Sequence, residues 1–190
     1  MIKYKLTNGF QEIGRTILAL GNSDRLTHNH WIHYYHHPLL AVIFNSLVDK
    51  LPFPILYEIK ALGRHLDEDG IIGGCTRMTF IRELPLPEMT INQKIAFGIL
   101  CALEVTKDKD FVKWGNNWLN GDRSYKKARK MFKKTFGKEH YESAAAITFA
   151  ILFLSHDYCE STISAADAAA KAAKMKKLDL IDLAIKSLKY

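Results

Sequence analysis

The run Ala144 to Leu154 is apolar except for Thr148. It is far shorter than the roughly 20 residues a helix needs to cross a bilayer. It therefore reads as a buried helix, which other elements must surround. Several neighbouring segments carry the start and stop signals of helices. Thr90-Ile91-Asn92-Gln93 has the form of a capping box, with a helix expected to about Val105. Asp110 is placed to cap a helix whose stripe is Phe111, Trp114 and Trp118, and Asn120-Gly121 ends it. Ser124 can cap a helix over 125–136 that Gly137 stops. Ser164-Ala165-Ala166-Asp167 opens an alanine-rich helix, and Ile181, Ala184, Ile185 and Leu188 mark a last one.

The N-terminal half is read in the same terms. Met1 to Thr7 alternates weakly and is expected to be extended. Phe10, Ile13, Ile17 and Leu20 fall at helical spacing, with Gly21 as a stop. Leu26 to His37 is a short helix or an irregular segment. Pro38 suits the first turn of a buried helix to Leu51. Ile55, Ile59 and Leu62 predict a further helix to Leu66. Residues 67–87 are the exception, with three glycines, two prolines and the β-favouring run Thr76 to Ile81. They predict a loop with one short strand or hairpin. The expectation is an all-α, multi-helix bundle of about eight or nine helices, folded as one domain over 1–190, with a short irregular or β-like segment near 67–87.

Compartment and charge narrow the function. Lys3, Lys5, Glu12 and Arg15 rule out the apolar core of a signal peptide. Cys75, Cys101 and Cys159 are odd in number and far apart, which suits reduced thiols and a cytoplasmic protein. The net charge of +7 belongs to one stretch. Lys107 to Lys138 holds eleven Lys/Arg against Asp108, Asp110 and Asp122, while Met1 to Thr106 is neutral.

No catalytic or cofactor motif is present. The five histidines between His28 and His37 are the one metal candidate, with His30, His33 and His37 on a common face if that segment is helical. Pro38 opposes helical geometry at His37, and no HExxH accompanies the cluster. Asp67 to Gly74 lacks both EF-hand spacing and a Gly-Lys-Ser/Thr ending, so it is expected to be an ordinary turn. Ser155, His156 and Cys159 lie close in sequence without a nucleophile signature.

The basic stretch offers a binding surface. Over 125–136, Tyr125, Ala128, Phe132 and Phe136 form an apolar stripe, and Lys126, Lys127, Arg129, Lys130, Lys133 and Lys134 cover the rest. Such a helix binds acidic protein, nucleic-acid phosphate or an anionic membrane, or is simply a solvated surface. The stretch Trp114-Gly115-Asn116-Asn117-Trp118-Leu119-Asn120-Gly121-Asp122-Arg123-Ser124, leading into Ala128 and an alanine-studded tail, resembles immunity proteins of bacterial polymorphic toxin systems. The similarity covers Ala96 to Ala173. It implies a small α-helical protein that binds a toxin, and the basic segment implies an acidic target. The reading is thus a non-enzymatic interaction protein without cofactor or membrane span, with a homo-oligomer left open. The alternatives are a nucleic-acid-binding protein using 124–137 and a metal-dependent enzyme using His28 to His37.

Overall fold

The computed structural model describes residues 1–26, 30–45, 51–67, 72–105, 108–124, 126–127, 130–131 and 178–190. The helices expected over 139–158 and from 164 onward lie outside these residues. Two compact units emerge, Met1–Glu88 and Met89–Tyr190.

The first unit overturns the all-α expectation. It is an antiparallel sheet of five strands: β1 (Ile2–Asn8), β2 (Thr16–Leu18), β3 (Ile32–Tyr35), β4 (Pro54–Asp67) and β5 (Ile72–Leu84). One short helix, α1 (Pro38–Phe44), follows β3. β1 pairs with β3 and β4, β4 with β5, and β5 with β3, so the pairings form a closed circuit. Closure requires bending, and the long β4–β5 hairpin bends twice. Ile81 is an extra residue between the Glu58–Arg82 and Ile59–Phe80 pairs. Gly63 and Arg64 together face Thr76, with Gly63 at φ +77°. An extra residue bends the bulged strand, and a left-handed glycine is the usual first residue of such a bulge. Thr76 Oγ1 accepts from the Arg64 amide at 3.0 Å and secures it.

The expected helix over 55–66 is therefore most of β4. Ile55 and Ile59 are four apart, a spacing that fits one face of a helix and also one face of a strand. Tyr57 and Ala61 complete the strand row, and both are buried with Ile59 in a core that includes Tyr34, Cys75, Met78 and Phe80. The expected helix from Phe10 to Leu20 is a turn followed by β2. Gly14 takes φ +85° and donates its amide to the Phe80 carbonyl. Of the four apolar residues there, Ile17 packs against the core, while Phe10 and Leu20 are 72% and 75% exposed.

Gly73 and Gly74 belong to β5 and not to a turn. Tyr34, paired with Gly73 across the ladder, lays its ring over that glycine, and Trp31 and Leu26 cover Gly74. Glycine is needed because a Cβ at either site would overlap those side chains. Cys75 follows them and is buried as a free thiol.

The second unit keeps more of the helical reading. The capping box forms as expected, with Thr90 N donating to Gln93 Oε1 at 2.9 Å and Gln93 N to Thr90 Oγ1 at 3.2 Å. It opens α2 (Ile91–Val105), which buries Ile95, Phe97, Ile99 and Cys101. Burial raises the Cys101 thiol well above its ordinary value. Two more helices follow, α3 (Lys109–Leu119) and α4 (Leu180–Ser187). In α4 the buried face is Leu180, Leu183, Ala184 and Ser187, leaving Ile185 and Leu188 exposed. The described residues thus hold four helices and a sheet, in place of a bundle of eight or nine helices. Among them, no helix is long and apolar enough to cross a membrane.

Replacing Gly73 with Ala is expected to destabilise the full chain by about 1–3 kcal/mol, because the methyl forces the Tyr34 ring to shift. Urea unfolding of the variant measures this. In a Tyr34→Leu background the same change should cost clearly less, since the ring it displaces is gone.

Candidate functional site

The basic surface begins with α3. Its N-cap is Asp108 and not Asp110: the Asp108 carboxylate accepts from the amides of Asp110 at 2.9 Å and Phe111 at 3.1 Å. α3 buries Phe111, Trp114, Gly115 and Trp118 on one face and exposes Lys113, Asn116 and Asn117 on the other. Gly115 is small where α2 comes close, since a Cβ there would press on Ile99 and Leu103. Both indole N–H groups, of Trp114 and Trp118, are buried without an acceptor among the described residues.

The Asn120-Gly121 stop works as the sequence suggests. Gly121 at φ +107° returns its amide to the Trp118 carbonyl at 3.0 Å. Arg123 then lies over the Trp118 ring, 5.2 Å from its centroid, and donates to the Tyr190 carbonyl at 3.0 Å. The Ser124 hydroxyl accepts from the Lys127 amide at 3.4 Å, and residues 126, 127, 130 and 131 are helical. The Trp–Gly–Asp–Arg–Ser turn thus has a full architectural role. It also sets Lys127, Lys130 and Met131 beside Lys113, Trp114 and Asn117 around an open cleft of about 320 Å³. Lys127 is ion-paired with Asp122 on the cleft wall. Lys126, Lys127 and Lys130 are exposed. Arg129, Lys133 and Lys134 of the expected surface lie outside the described residues.

The histidine segment is a strand and a bend, not a helix, and this changes what its residues share. His33 lies on β3 opposite Gly74. His30 precedes the strand, and its carbonyl accepts from the Gly21 amide at 2.7 Å. Among the described residues, no group of three or more His, Cys, Asp or Glu side chains is placed to hold a metal ion. His37 has a different role that neither spacing nor motif announced. It is the N-cap of α1, with Nδ1 accepting from the Leu39 amide at 3.2 Å and Pro38 in the first helical turn. Its ring meets Tyr4 edge-on at 6.4 Å. The signal for this was His-Pro itself, an extended residue directly before a helix-starting proline. His28 lies outside the described residues.

Comparison with known protein families, curated proteins and solved structures finds no match for the chain.

The His37 cap requires the neutral imidazole, since a protonated Nδ1 can only donate. Burial accordingly lowers the His37 pKa below its ordinary value. A folded pKa below the unfolded one means stability that is full above about 6.5 and lost as pH falls through the folded value. A His37→Asn variant keeps a capping oxygen and does not titrate. Its stability relative to wild type should therefore rise as pH drops below about 6.5. His37→Ala should cost about 0.5–2 kcal/mol at pH 8. Chemical denaturation of the three proteins across pH 5 to 8, at roughly half-unit steps, checks both outcomes.

Proposed function

We propose that the chain is a non-enzymatic interaction protein that binds an acidic protein partner through the surface around Trp114, Lys126, Lys127 and Lys130. The observation that carries this reading is the open cleft beside α3, where Lys113, Lys127 and Lys130 stand around Trp114, with Asp110 and Asp122 also on its wall. Lysines at the rim attract and orient an acidic segment, while a largely buried Trp provides a fixed apolar floor. The sequence of 107–138 is strongly basic as a whole, Arg129, Lys133 and Lys134 included. The resemblance of Trp114 to Ser124 to immunity proteins makes a toxin with an acidic surface the specific partner class. An immunity protein must bind fast and tightly, and charge complementarity raises association rates.

The test is titration of the full chain with a poly-glutamate peptide and, separately, with a single-stranded oligonucleotide. Saturable binding of the acidic peptide is expected, weakened about tenfold or more by the Lys127→Glu/Lys130→Glu pair. Tighter binding of the oligonucleotide, with an affinity that falls steeply as salt rises, would move the surface to nucleic acid. Binding of neither probe would sink the reading.

A further inference from the structure

β2 ends the order of strands in the sheet, and among the described residues β5 is its one strand neighbour. Its backbone has two sides. The Phe80 amide donates to the Arg15 carbonyl at 3.1 Å, and the Ala19 amide donates to the Thr76 carbonyl at 2.9 Å. In an antiparallel ladder, residues bonded to the partner alternate with residues that are not. Arg15, Ile17 and Ala19 therefore turn their backbone groups to β5, and Thr16 and Leu18 turn theirs away from it. Thr16 is exposed and Leu18 is 76% exposed, so this outer edge is open to solvent. Such an edge is a template for another strand, and folds commonly block it with proline, a bulge or a charge. Thr16–Leu18 holds no proline and no charge, and its register with β5 is unbroken. Apolar side chains also gather along it, since Phe10, Ile13 and Leu20 are exposed on the same stretch of chain.

The face beside this edge is positively charged. Directly opposed residues of an antiparallel pair share one face. Leu18, Arg77 and Leu62 thus form one row across β2, β5 and β4, and Thr16, Thr79 and Lys60 form the next. Arg77 and Lys60 are exposed, and neither row holds a carboxylate. The Thr16 and Thr79 hydroxyls are hydrogen-bonded to each other at 2.8 Å, which ties the rows to the edge. A strand added beside β2 would lie two strand spacings from Arg77, about 9.5 Å. An arginine and a glutamate side chain reaching toward each other span that gap.

The open ladder calls for an extended backbone, and the two cations call for carboxylates on it. A second copy of β2 meets the first demand and not the second, because Thr16, Ile17 and Leu18 bring no acid. We propose that the free edge of β2 docks an extended acidic segment of a partner protein, which joins the sheet as a further strand. The site uses residues of the first unit alone and does not depend on the surface around Trp114.

The test titrates two labelled peptides, one of Val-Glu repeats and one of Val-Lys repeats, into the full chain carrying Lys127→Glu/Lys130→Glu. That background removes the basic surface of the second unit, so a failure here and a failure of the reading above are told apart. Saturable binding of the Val-Glu peptide is expected, with the Val-Lys peptide about tenfold weaker or more. Arg77→Glu should weaken the Val-Glu peptide about tenfold. Leu18→Pro should abolish binding and keep the fold, because proline is tolerated where a strand N–H faces solvent. Hydrogen exchange on the unsubstituted edge gives a second readout. The Ile17 amide should be protected in the free chain, and the Thr16 and Leu18 amides should become protected when the peptide is added. If circular dichroism shows that Leu18→Pro does not fold, that exchange pattern decides. Absence of saturable binding, equal binding of the two peptides, or binding that leaves Thr16 and Leu18 unprotected overturns the proposal. A dimer in sedimentation that Leu18→Pro dissolves would assign the edge to a second copy and overturn it as well.

Discussion

The first unit depends on the pairing of β4 with β5, because β5 is the strand against which β2, β3 and β4 all hydrogen-bond. Straight strands of this length would leave a flat hairpin with two open edges. The bulges at Gly63-Arg64 and at Ile81 bend it instead. Thr76 is the residue on which that curvature turns. Its hydroxyl side faces Gly63 and its methyl faces Gly21, and both glycines stand at positive φ with no room for a side chain. With the hairpin bent, β1 can pair with β4 on one edge and β3 on the other, and the ladder returns to β5.

Closure changes what an alternating strand means. Ile2-Lys3-Tyr4-Lys5-Leu6-Thr7 alternates apolar and polar residues, the pattern of a strand with one wet face. In the folded unit both faces of β1 meet protein. Tyr4 and Leu6 lie on the side of α1, with Leu6 buried and Tyr4 against the His37 ring. Lys3 and Lys5 lie on the side of Tyr34, Tyr57 and Ile59. The polar half of the alternation is thus turned inward, and the Lys3 ammonium reaches the Tyr34 ring and His36 Nδ1.

What the sequence disclosed followed how local each signal was. The capping box at Thr90, the stop at Asn120-Gly121, the proline at the head of α1 and the extended N-terminus all depend on contacts within a few residues, and all appear in the structure. The strands escape a periodicity reading where a helical and a strand period coincide. Ile55 and Ile59 satisfy both, and only the buried Tyr57 and Ala61 between and beyond them decide the matter. Phe10, Ile13, Ile17 and Leu20 satisfy the helical period well, yet Gly9, Gly14 and Gly21 around them all take positive φ. Those glycines are turn signals that outweigh the apolar spacing. Gly73-Gly74 could not be understood locally at all, since the reason for each is a side chain brought from far along the chain, Tyr34 for Gly73 and Leu26 with Trp31 for Gly74. The same holds for groupings of side chains. The cleft at Trp114 follows from a turn written in consecutive residues, whereas the Lys3–His36 contact spans 33 positions and exists only once the sheet closes.

Charge read by segment is similarly blind to direction. Residues 1–106 are neutral in sum, which suggests nothing to recognise there, while 107–138 carry the visible excess. In the first unit, exposed residues carry both signs, with Arg15, Arg25, Lys60, Arg64 and Arg77 exposed alongside the carboxylates. Glu12, Asp24, Glu83 and Glu88 are exposed, and Glu58 is held by Arg82 at 2.8 Å. Exposed carboxylates are screened by water and salt, so they cancel little of the field at a partly enclosed ammonium. Lys3 and Lys5 face inward, where the effective dielectric is lower and each charge acts over a longer range. The solvated lysines of the second unit, by contrast, present their charge openly to water.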